Sequence, residues 1–287
     1  MNSEQNPEEQ PQNQTDPSWE EIKQTETQLP SRAPMPQRRR NPSGWTPYVT
    51  YSLIGFTIFV YLLQLGSVVI AGYDVVAILG VKANQEIMSG QFWRLFTPMF
   101  LHSNVLSSGG MFQLTAILHI AFNMYALRLF GPGLESHYGR WQFLVLYLTS
   151  GFTGAVASFV FVANPSLGAS TAIFGLMAAQ GVLAYQNRSV FGQRARAILV
   201  NIINLAVINF LLGFSPGIDN WGHLGGFIGG ILVAWFGGPL YAVEGSPPQQ
   251  KLVNQRNSND FIRAAVAAFA LFVFLTGGVI ITSGGLF

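Results

Sequence analysis

The chain has 287 residues, 49% of them hydrophobic and only 10% charged. A soluble domain carries about 25% charged residues, so the composition points to a membrane protein. A net charge of +2, with scattered lysines and arginines, argues against nucleic acid as a partner; the absence of cysteine excludes disulfides, thiolate metal sites and a cysteine nucleophile.

Residues 1–44 form a polar, Pro/Gln/Glu-rich stretch without apolar periodicity. Such a segment buries too little surface to offset its ordering entropy, so it reads as a disordered cytoplasmic tail. It lacks the apolar core of a signal peptide, and its seven acids argue against an organelle transit peptide. Arg38-Arg39-Arg40 stands just before the first apolar run, as a cytoplasmic anchor does.

Seven apolar segments follow, at about 48–71, 113–130, 141–163, 169–185, 196–212, 222–243 and 262–282. Most are close to the ~20 residues that cross hydrocarbon, which predicts an all-α polytopic membrane protein. The division is a six-helix core over 45–243, a cytoplasmic linker over 244–261, and a seventh helix with an outer C-terminus over 262–287. The connector 72–112, carrying Trp93-Arg94 and Phe100-Leu101-His102, is amphipathic and reads as lying partly in the membrane interface. With the N-terminus inside, 13 of the 15 lysines and arginines fall on the inner face and only Lys82 and Arg94 on the outer. That asymmetry favours N-in and C-out.

Orientation fixes depth. Ser170 falls in the first turn of the fourth segment, just beneath the outer surface, and His223 opens the sixth at a similar level. His119 and Asn123 lie one to three turns into the second segment, which also runs inward. Each has a plain reading: a serine in an apolar helix commonly bonds back to its own backbone. Asn201, Asn204 and Asn209 of the fifth segment read as interhelical hydrogen-bonding glue, as His119 or Asn123 alone can. Ionisable groups within spans are rare and point to function. His102 reads as interfacial or packing, and His137 lies on the cytoplasmic side, too far away.

The layer of polar groups fits serine hydrolysis. His223 as neutral imidazole takes the Ser170 proton during attack on a carbonyl and returns it to the leaving amine. No acid lies at that depth, so the pair is a dyad rather than a triad. His119 and Asn123, four residues apart, project from one helix face toward a developing oxyanion. The free N–H groups at the start of the fourth segment, at the positive end of the helix dipole, point the same way. Gly222, Gly226 and Gly230, with Gly225 and Gly229 alongside, face Gly175 and Ala179 as small-residue ridges that let two helices touch.

These residues carry a resemblance. The chain resembles the rhomboid intramembrane serine proteases over roughly residues 48–243. The signals are Trp93-Arg94, His119-x-x-x-Asn123, Gly131-x-x-x-Glu135-x-x-x-Gly139 in the second loop, Gly168-x-Ser170, and His223-x-x-Gly226-x-x-x-Gly230. The resemblance implies a six-helix catalytic bundle with an extra C-terminal helix. It implies Ser170 as nucleophile, His223 as general base, His119 and Asn123 as oxyanion stabilisers, and Arg94 and the Glu135 loop as structural. Transmembrane proteins are the implied substrates, with no metal or cofactor; with no organelle targeting signal evident, a bacterial cytoplasmic membrane is the expected home. Two departures stand out: Thr171 replaces the glycine usual after the serine, and the stretch 104–118 is longer than expected. The alternative is a catalytically silent rhomboid-like binding or escort protein, which is expected to lack the serine or the histidine. Other membrane proteases are excluded by the lack of His-Glu-x-x-His and of paired intramembrane acids, and a transporter by the lack of internal repeats.

Overall fold

The computed structural model describes residues 45–106, 113–215 and 217–283. The expected tail at 1–44, residues 107–112 of the expected 104–118 extension, and residues 284–287 lie outside that description. In chain order the helices are α1 (Tyr48–Ala71), α2 (Val75–Gly80), α3 (Asn84–Met88), α4 (Leu114–Tyr138), α5 (Arg140–Phe161), α6 (Ser170–Gln186), α7 (Arg188–Phe191), α8 (Gln193–Leu212), α9 (Asn220–Gly237) and α10 (Ser258–Ser283). Two single turns of 3-10 helix, Phe92–Leu95 and Thr97–Phe100, complete the connector between α3 and α4. The protein is an all-α polytopic membrane protein with one small antiparallel hairpin, β1 (Tyr241–Glu244) paired with β2 (Lys251–Asn254) in the register Tyr241 to Asn254.

Five of the long helices, α1, α4, α5, α8 and α10, are long and apolar enough to cross a membrane on their own composition. The other two, α6 with 17 residues and α9 with 18, are the two that carry Ser170 and His223. Their surroundings explain the difference. α6 is buried on nearly every face, from Thr171 through Ala184, and α9 buries Gly222, Gly225, Gly226, Gly229 and Gly230. A helix enclosed by other helices needs neither full span length nor a lipid-compatible surface.

α5, α6 and α9 form the centre through backbone-close contact. Gly226 of α9 sits on the backbone of Thr171, Gly230 on that of Gly175, and Gly225 over Thr153 and Gly154 of α5. Without an apolar driving force between helices in lipid, this close packing is what holds them together. Leu146, Tyr147, Leu176 and Val233 fill the space around the trio and are fully buried. α10 packs on α5 and α9, α1 packs on α4, and α8 lies against α6.

Two boundaries differ from the sequence expectation. Gly131 and Glu135 lie not in a loop but on the last turns of α4, which continues to Tyr138 through Pro132. Glu135 is fully buried there and accepts from the backbone N–H groups of Val49 (3.1 Å) and Thr50 (2.8 Å) and from the Thr50 hydroxyl (2.7 Å). It satisfies the orphan donors at the start of α1, which rewards extension of α4 beyond its apolar stretch. The 244–261 stretch holds β2 and the opening of α10. The hairpin is tied to the bundle by Asn187, whose side chain accepts from Tyr241 N–H and donates to the carbonyl of Pro239 (2.9 Å).

Candidate active site

Ser170 is the first residue of α6, and His223 stands in the first turn of α9. Asp219 caps α9 by accepting from Gly222 N–H at 2.8 Å, which starts the helix where His223 points back over its own first turn. The glycine contacts between α6 and α9 then bring the two side chains together, with His223 Nε2 2.8 Å from Ser170 Oγ. Phe174 follows Ser170 by four residues and so lies on the same face of α6. The His223 ring stacks on it at 4.3 Å between centroids and 9° between planes. The imidazole is thus held by one hydrogen bond and one stacked ring. Its Nδ1 has no partner among the described residues, and no carboxylate hydrogen-bonds it there.

The turn before α6 shapes the floor of the site. Gly168 has φ +134°, a conformation that favours glycine, and its N–H donates to the carbonyl of Pro98 at 2.9 Å. A Cβ at this position would stand 3.2 Å from His119 Nε2 and 3.5 Å from Ser170 Oγ. His119 of α4 and Ser170 therefore converge over the bare face of Gly168. The first N–H groups of α6 have no preceding turn to bond them and open at the same place.

Of the four site residues expected from the sequence, Ser170, His223 and His119 come together. Asn123 is buried one turn below His119, and its Nδ2 donates to the His119 carbonyl at 2.9 Å. The asparagines of α8 do not behave as expected for glue: Asn201 and Asn204 are exposed, and Asn209 donates to Leu205 of its own helix at 2.8 Å.

Three more residues frame the site: Lys82, to which sequence reasoning gave no role, Arg94, which only the resemblance marked as structural, and His102, which read as interfacial or packing. Lys82, one of the two cations that the N-in expectation assigns to the outer face, is buried, and its Nζ donates to the carbonyls of Val162 (2.7 Å) and Asn164 (2.8 Å) and to Asn84 Oδ1 (3.0 Å). It caps the C-terminus of α5, and its backbone pairs with Ser166 in the loop leading to Ser170. Burial lowers its ammonium pKa to about 8. Arg94, the other of these two cations, is buried too and donates to the carbonyl of Val81 just after α2 at 2.9 Å. His102 is fully buried, its ring centroid 5.3 Å from that of His119. A groove of about 380 Å³ between α9 and α10, lined by Leu232, Phe236, Ala264 and Leu271, lies at the opposite end of α9 from His223.

Comparison with known proteins places this arrangement. Residues 89–240, more than half of the chain, match the family model described as Rhomboid domain. The chain is similar to rhomboid protease GluP of Bacillus subtilis (strain 168), 40% identical over 189 residues that cover 66% of this chain and 34% of that protein. It is similar to RHOMBOID-like protein 9, chloroplastic, of Arabidopsis thaliana, 31% identical over 211 residues, 71% of this chain and 45% of the relative. It also matches inactive RHOMBOID-like protein 8 of Arabidopsis thaliana, 32% identical over 139 residues, 48% of this chain and 36% of the relative. The matched stretches thus span less than half the length of each of these relatives.

Proposed function

Because the chain belongs to the rhomboid family, we propose that it is an intramembrane serine protease that cuts transmembrane client proteins with Ser170 and His223. The observation that carries this reading is the 2.8 Å contact between Ser170 Oγ and His223 Nε2 at the facing starts of two helices. His223 removes the hydroxyl proton as Oγ attacks the scissile carbonyl, then delivers that proton to the departing amine. Water, activated by the same imidazole, releases the acyl group from Ser170. The oxyanion of each tetrahedral step is met by His119 Nε2–H, by the second amide hydrogen of Asn123 and by the free N–H groups opening α6. Each such donor is worth about 3 kcal/mol in a site closed to bulk water. The reaction uses no metal or cofactor.

The positive-inside asymmetry supports an orientation with the N-terminus in the cytoplasm, the C-terminus outside and the dyad near the outer face, and the similarity to a Bacillus subtilis relative supports a bacterial cytoplasmic membrane. A client segment must unwind locally there, since a helix hides its carbonyls from attack. The test is cleavage of a single-span reporter by purified protein. Wild type cuts it, and Ser170→Ala does not; equal cleavage by both removes the proposal. Silent binding of clients is the second reading, favoured by the similarity to an inactive relative. It predicts that wild type and Ser170→Ala both retain the reporter and leave it whole.

A further inference from the structure

His102 is held by its backbone and left open at its side chain. Gln64, fully buried in α1, accepts from His102 N–H at 3.1 Å and donates to the His102 carbonyl at 2.9 Å. The same Gln64 Nε2 donates to Asp74 Oδ2 at 2.9 Å, and Asp74 in turn caps α2 by accepting from Ala77 N–H at 2.8 Å. Asn104 Nδ2 adds a donation to Asp74 Oδ2 at 3.1 Å. The histidine backbone is therefore pinned by α1 and the connector together. Its imidazole is fully buried, yet neither ring nitrogen has a hydrogen-bond partner among the described residues. A buried polar atom left in that condition is costly, and native structures keep few of them.

The ring beside it is His119, at 5.3 Å between centroids and 57° between planes. His119 turns Nε2 toward Gly168 and Ser170. To donate to an oxyanion from Nε2, a neutral His119 must carry its proton there and leave Nδ1 bare. Some donor must hold that tautomer. Burial is the main cause that lowers the His102 pKa to about 3; His119 adds to it and the Phe100 carbonyl, outside hydrogen-bond geometry, opposes it, so His102 stays neutral with one ring N–H. Hydrogen bonds of this kind are commonly long in a free enzyme and close when the reacting group binds.

We propose that His102 is a positioning residue: its ring N–H fixes His119, already in the free enzyme, in the tautomer that donates from Nε2, and closes to a full hydrogen bond on Nδ1 of His119 as the oxyanion forms. Gln64 sets its position. This rests on the protease reading above, and the experiments separate the two. The first is steady-state cleavage of the single-span reporter by the purified full chain carrying His102→Phe. Phenylalanine keeps a ring against His119 and removes both orphan nitrogens. Expected is a kcat loss on the order of 10- to 100-fold at unchanged KM, with a thermal midpoint equal to or above that of wild type. A kcat within about twofold of wild type in the folded variant overturns the proposal; twofold is far below what misplacing a reacting group costs. The second is ¹⁵N-histidine NMR of the unsubstituted chain, with His119 assigned by loss of its signal in His119→Asn. A Nε2–H tautomer is expected, and a Nδ1–H tautomer overturns the proposal whether or not His102→Phe folds. If Ser170→Ala cleaves like wild type, the protease reading falls instead, and the NMR result still decides the tautomer.

Discussion

Thr171, next to the nucleophile, turns its side chain away from it. A Cβ on Gly154 of α5 would meet Thr171 Cβ at 2.6 Å and Cγ2 at 2.9 Å, and one on Gly222 of α9 would meet Cγ2 at 3.2 Å. The methyl group thus fills the seam between three helices instead of narrowing the space over Ser170. Thr171→Ser deletes that methyl alone and is expected to lower stability by about 1 kcal/mol, seen as a lower thermal midpoint. The cut position on a reporter, read by mass spectrometry of the products, should stay where it is; a moved cut would place Thr171 in substrate selection. Ser170, His223 and His119 stood out in the sequence because polar groups among apolar neighbours have few innocent reasons to be there. Lys82 did not, because a lone cation reads as a topology exception, and Arg94 was marked as structural by the resemblance alone. Their work at carbonyls just past α5 and α2 depends on loop paths that residue spacing does not encode.

At the level of elements, the site depends on how closely α6 and α9 approach. A Cβ on Gly226 would overlap the Thr171 carbonyl carbon at 2.8 Å and its Cα at 3.2 Å, and backbone cannot turn aside as a side chain does. Gly226→Ala is therefore expected to push α9 off α6 at a cost of about 1–3 kcal/mol and to part His223 from Ser170. Reporter cleavage by the folded variant should fall at least tenfold, as loss of a general base requires. Unchanged cleavage with an unchanged thermal midpoint would show the ridge to be slack. The seven long helices and the glycine ridge were legible from apolar length and small-residue spacing. The end of α4 was not, since what carries it to Tyr138 is a carboxylate meeting the start of a helix 85 residues away in sequence. The hairpin was hidden for a related reason: strands of four residues carry too little alternation to register.

Across the whole molecule, charge and architecture tell one story. With Lys82 and Arg94 buried against carbonyls at helix ends, neither of the two cations that the proposed orientation assigns to the outer face is free to anchor it to lipid headgroups. This supports the proposed N-in orientation more firmly than the count of charges alone. The two helices that are not self-sufficient pack among α4, α5, α8 and α10, so the least lipid-compatible stretches of chain are also the ones that carry the candidate dyad. A bundle of this kind shelters a polar reaction from lipid while leaving helix starts open at one face. The central claim is that His223 makes Ser170 a nucleophile, and the most direct measurement is covalent labelling of the purified protein by a fluorophosphonate, mapped by peptide mass spectrometry. The account predicts an adduct on Ser170 in wild type and none in folded His223→Ala. Equal labelling of Ser170 in both proteins, or none in wild type, would contradict it.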